Sequence, residues 1–136
     1  MGNKRIRNRE QPAHKKSIAT EAPGRSFSQK ISWRFSHMDN GGRGKCSFKL
    51  LHDYAGHFHR YEKLSRDEIE GKAHCHPLNP AKLSDVGQCR IQAIGLEVDT
   101  LYQLDFATPC RLWGFWTENV FNVVWLDQDH SFYTCT

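Results

Sequence analysis

Arg111-Leu-Trp-Gly-Phe-Trp116, then Thr117-Glu118-Asn119, then Val120-Phe-Asn-Val-Val-Trp-Leu126, is the stretch that decides the fold. Both flanks are short and rich in β-branched and aromatic residues, which suit a pleated, half-buried surface. The polar residues between them match a hairpin loop in length. The reading is an antiparallel pair with one apolar face, in which Trp113, Phe115, Phe121, Val123 and Trp125 pack as core.

Working outward, Leu101-Tyr-Gln-Leu-Asp-Phe106 alternates and predicts a preceding strand, with Ala107-Thr108-Pro109 as the turn. Downstream, Asp127–His130 reads as a turn and Phe132-Tyr133 as a short closing strand. Upstream, Ile31, Trp33 and Phe35 alternate with polar residues and predict an N-terminal strand. Phe48, Leu51, Tyr54, Ala55, Phe58 and Tyr61 fall three or four apart, which predicts one helix over 47–63 capped by Ser47. Ser65 and Glu68 have capping-box spacing and open a second helix over 66–70, closed by Gly71. Residues 71–80 carry two prolines and read as a loop, and 82–94 allows a third helix that stops at Gly95. The class is α+β: an N-terminal strand, two to three helices, and a C-terminal antiparallel meander of three to four strands.

Charge divides the chain. Residues 1–30 carry +6 and little apolar periodicity, so they read as a basic disordered tail ahead of a single domain over 31–136. The remainder carries −2, so Coulomb attraction to phosphate resides in the tail, with Lys4, Arg5 and Arg7 as candidate RNA contacts. No stretch has the length and apolarity of a membrane span, and no secretory signal opens the chain. The expectation is a cytoplasmic protein with no membrane partner. Five cysteines, an odd number without C-x-x-C spacing, argue against a disulfide framework.

The histidines raise the question of a metal. His57/His59 and His74/His76 have H-x-H spacing, but residues i and i+2 diverge on a helix. His74-Cys75-His76 in a loop leaves a small zinc-binding domain as one alternative, although no second cluster has finger spacing. The site assignment therefore contains no metal ligand and no cofactor.

From Tyr102 to Tyr133 the pattern resembles the C-terminal strands of the RelE/ParE toxin superfamily. The matching parts are Leu101–Phe106, Arg111–Gly114, Glu118-Asn119, Val120–Trp125, Asp127–His130 and Tyr133, about a third of the chain. The resemblance implies a RelE-like fold and an mRNA endoribonuclease that needs no metal, acts on RNA or at the ribosome, and is controlled by an antitoxin. Its chemistry is attack of a 2′-hydroxyl on the adjacent phosphate, which needs a base, a cation and an acid. On that basis His130 is the acid or base, Arg111 the phosphate clamp and Tyr133 a stacker or proton donor. His76 is a second acid or base candidate, and Arg60 and Lys63 are substrate contacts. Each residue also has a purely structural use: Arg111 can pair with Asp105 across the hairpin, His130 can cap a turn, and Tyr133 can join the core. The acidic body leaves a further alternative, a non-catalytic module or inhibitor from a phage or mobile element that binds a protein partner.

Overall fold

The computed structural model describes residues 16–17, 26–41, 46–72 and 74–129. Its centre is the expected hairpin, β6 (Arg111–Thr117) and β7 (Val120–Asp127), paired antiparallel with Thr117 opposite Val120. The turn between them takes Glu118 to φ 55°, in the left-handed region. A bulge falls between Trp113, opposite Trp125, and Gly114, opposite Val123, and leaves Val124 as the extra residue. A glycine is required at 114, because a Cβ there would sit 2.0 Å from the Asn122 carbonyl oxygen.

β5 (Leu101–Asp105) adds antiparallel to β6, and β3 (Cys75–Leu78) adds antiparallel to β5. On the other side β2 (Ser32–Arg34) lies parallel to β7, giving the order β2-β7-β6-β5-β3. The expected loop over 71–80 is therefore corrected: Cys75–Leu78 is a strand. Pro77 masked it in the sequence, and a sheet edge is where a strand tolerates a missing donor.

Three helices cover one face. The predicted helix over 47–63 is two, α1 (Phe48–His52) and α2 (Ala55–Glu62), with Tyr54 at φ −114°, ψ 19° between them. The break turns Phe48 out to 66% exposure, although periodicity had placed it on the buried face. Ser47 accepts from Leu50 N–H as expected. α3 (Arg66–Gly71) has its capping box, with Ser65 and Glu68 each accepting from the other's backbone N–H. Its C-cap is Lys72 rather than Gly71. Leu51, Tyr61 and Ile69 pack with Leu104, Leu112, Trp116, Phe121, Val123 and Leu126.

The opposite face holds a second cluster, in which Leu101, Trp113, Phe115, Val124 and Trp125 meet Leu83 and Leu96. α4 (Asp85–Ile94), capped by Ser84 and stopped by Gly95 at φ 68°, packs Val86, Ile91 and Ile94 against it. Asp39, 1% exposed, fastens this layer. It accepts from Arg90 Nε at 2.9 Å and Nη2 at 2.6 Å, from Trp125 Nε1 at 2.9 Å and from Gly41 N–H at 3.0 Å. The protein is thus α+β, with a mixed five-stranded sheet between two helical layers.

The folded body begins before residue 31. Ser26 Oγ and Phe27 N–H both donate to Asp67 at 2.9 Å, and the Arg66 guanidinium lies 4.5 Å from the Phe27 ring centre. β1 (Lys16–Ser17) pairs parallel with β4 (Leu96–Glu97). Among the described residues no helix is long and apolar enough to cross a membrane.

Candidate functional site

Strand alternation assembles the site. Leu104, Leu112 and Leu126 face the α1–α3 layer, so their neighbours Asp105, Arg111 and Asp127 face the other way. Cys75 is buried in the first layer's cluster, so His76 also projects to the α4 side. Asp105 pairs with Arg111 in register and Arg111 with Asp127. The result is a row, His76, Asp105, Arg111, Asp127, crossing four adjacent strands at one end of the sheet.

Asp105 joins His76 and Arg111, the two expected catalytic residues that lie among the described residues. His76 Nε2 lies 3.3 Å from Asp105 Oδ2, and Arg111 Nε lies 3.1 Å from Oδ1. Arg111 Nη1 donates to the Cys110 carbonyl at 3.0 Å. A guanidinium has five N–H donors, so these two contacts leave part of its fork uncommitted to either partner. The His76 side chain is 49% exposed and that of Arg111 20%, whereas Asp127 is fully buried.

The other face approaches the same point. Tyr61 donates its hydroxyl to the Asp105 backbone carbonyl in a very short hydrogen bond. Burial raises the Tyr61 pKa despite a hydrogen bond from Arg60, so the phenol stays protonated and donates. The Arg60 guanidinium lies 5.2 Å from the Tyr61 ring centre, and the His74 ring lies 6.3 Å from it. His57 stacks on Phe106 at 5.3 Å, and its pKa is lowered by burial and then by the Arg60 charge. Arg60 thus lies with Tyr61 and His57 on the α1–α3 side of the sheet, across from the row, and Lys63 is exposed at the end of α2.

His130 and Tyr133 lie outside the described residues, as do Lys4, Arg5 and Arg7. Asp105 is the member that sequence reasoning undervalued, because it read as a structural partner of Arg111 alone. The signal was present: Asp105 and Arg111 flank one short turn, which makes them cross-strand neighbours.

The zinc alternative loses its ligand set in the described residues. Cys75 and His76 point to opposite faces, and burial pushes the Cys75 thiol up to about 12. No group of three or more His, Cys, Asp or Glu among the described residues could hold a metal ion.

A groove of about 560 Å³ lies elsewhere, between β2 and α2, and shares no residue with the row. Comparison of the chain with protein-family models, with curated proteins and with solved structures returns no match in any of the three.

Proposed function

We propose that the chain acts on RNA and cleaves its phosphodiester backbone without a metal, using the His76–Asp105–Arg111 constellation. The observation that carries this reading is the convergence of His76 and Arg111, 35 positions apart in the chain, on the one carboxylate of Asp105. Asp105 orients the imidazole and compensates an imidazolium, which is what a histidine needs in order to exchange a proton near neutral pH. Arg111 supplies fixed positive charge beside it for a phosphate whose negative charge grows during attack. The 2′-oxygen bonds to phosphorus, its proton passes to a base, and the bond to the 5′-oxygen breaks as that oxygen takes up a proton. The products are a 2′,3′-cyclic phosphate and a 5′-hydroxyl. His76 performs one of the two proton transfers. His130 remains the sequence-based candidate for the other, with Tyr133 as base stacker. The resemblance to RelE/ParE toxins supports the reading and carries with it an antitoxin as partner.

A 5′-labelled RNA oligonucleotide in EDTA, beside its all-2′-deoxy counterpart, tests the proposal. Wild type should cut only the ribose strand and leave a cyclic phosphate. His76→Ala should lower the rate by about 100-fold or more, the usual scale for losing a proton-transfer group. Arg111→Ala should do likewise while Asp105→Asn falls between. A preparation that leaves RNA intact, or one in which His76→Ala cuts at the wild-type rate, overturns the assignment. In that event the row is a set of sheet-end ion pairs.

A further inference from the structure

The outer edge of β2, together with the groove beside it, is independent of the catalytic reading. β2 is an edge strand in the sheet order. Ser32 N–H donates to the Asn119 carbonyl of the turn that leads into β7. In a parallel ladder alternate residues direct their backbone groups to the same neighbour, so Ser32 and Arg34 face β7 and Trp33 faces outward. On that outer side Ile31 N–H is taken by the Leu64 carbonyl, and Lys30 bridges Ser65 antiparallel. Among the described residues pairing then stops just where the groove opens. Ile31, Trp33, Phe35 and Phe58 give it apolar walls, and His59 and Glu62 stand at its rim. Phe48, among the described residues the large apolar side chain most exposed to solvent, has its ring 5.5 Å from that of Phe35.

We infer that this edge binds an extended segment of a partner protein by strand addition, antiparallel to β2 and in line with the Lys30–Ser65 bridge. The backbone of Trp33 supplies the hydrogen bonds, and the groove takes apolar side chains at alternate positions of the guest. Glu62, on a body of net charge −2, selects a guest with lysine or arginine beside its apolar residues.

The probe is the peptide acetyl-Lys-Val-Thr-Val-Lys-Val-amide, titrated into ¹⁵N-labelled full-length protein. Binding should slow hydrogen exchange of the Trp33 amide at least tenfold. N-methylation of the central valine should weaken binding at least tenfold, because it removes a ladder donor. Replacing both lysines by glutamate should weaken it severalfold, and Glu62→Gln should abolish that preference. Phe48→Ala, a change at an exposed position, should weaken binding without unfolding the chain. An unperturbed Trp33 amide at millimolar peptide overturns the inference, as does binding indifferent to N-methylation. Two other occupants would also overturn it. Protection of Trp33 that rises with protein concentration alone means a second copy, and protection by an RNA oligonucleotide in place of peptide means nucleic acid.

Discussion

Gly114 and Asp39 are single residues on which the sheet depends. Gly114→Ala drives a methyl into the Asn122 carbonyl at 2.0 Å and the Phe121 ring at 2.7 Å, within a buried central hairpin. Neither neighbour can yield without breaking the bulge, so a loss of roughly 3 kcal/mol or more is expected by chemical denaturation. For Asp39, burial alone would raise the pKa. Hydrogen bonds from Arg90, Trp125 and Gly41 and the Arg90 charge outweigh it and hold the group below its ordinary value. A carboxylate depressed on folding contributes stability that is present above its unfolded pKa and lost as pH falls through the folded value. Wild type should therefore lose stability as pH drops below about 4, and Asp39→Asn should lack that part of the slope. At pH 7 Asp39→Asn should cost about 3–5 kcal/mol, since it removes the buried carboxylate charge that faces the Arg90 guanidinium. The thiols offer a third check. Burial pushes Cys46 and Cys75 up to about 12 and Cys110 up to about 11, whereas Cys89 is exposed. Iodoacetamide at pH 8, mapped by mass spectrometry, should label Cys89 in the native protein and reach Cys46, Cys75 and Cys110 only after unfolding.

At the scale of elements, what could be read from the sequence was local. The β6–β7 hairpin, the Ser47 cap, the Ser65–Glu68 box and the Gly95 stop each depend on neighbours a few residues apart, and each is where it was expected. The hairpin nevertheless buries both faces, Phe121 and Val123 on one and Trp113, Phe115 and Trp125 on the other, and not the single apolar face read from the sequence. Ser65→Ala should accordingly cost about 1 kcal/mol in thermal or urea unfolding. What was missed is non-local. β3 owes its existence to the edge of β5, more than twenty residues downstream, and nothing in Cys75-His-Pro-Leu78 announces it. The break at Tyr54 sits within an unbroken apolar period, so periodicity joined α1 to α2. The same limit governs the site. Arg111 and Asp105 flank a turn and could be paired by inspection, but His76 reaches them only through β3, so its convergence was invisible until the sheet was assembled.

Across the whole molecule, charge and chemistry are separated. The first 30 residues carry +6, while the row at the sheet end belongs to a body of −2. If the chain grips RNA, the grip and the proposed cut are supplied by different parts. Replacing Lys4, Arg5 and Arg7 together by alanine should weaken RNA affinity and lower the salt slope of log K by about 2, from roughly 0.7 per lost contact on a single strand. Cleavage at saturating RNA should stay within about twofold of wild type, since no group of the row is altered. Filter binding over a salt series separates this from loss of the His76 chemistry, which would change the rate and leave the salt slope alone.

The sheet's neighbour order sets a timetable for folding. β7, the last of the described strands to be made, belongs between β6 and β2, which was made near the beginning. Until Val120–Asp127 arrives, β2 has no strand to pair with and both apolar layers lack Phe121, Val123 and Trp125. A nascent chain halted at Asn119 should remain protease-sensitive throughout, and closing the sheet then joins segments nearly ninety residues apart, a long-range step that slows folding.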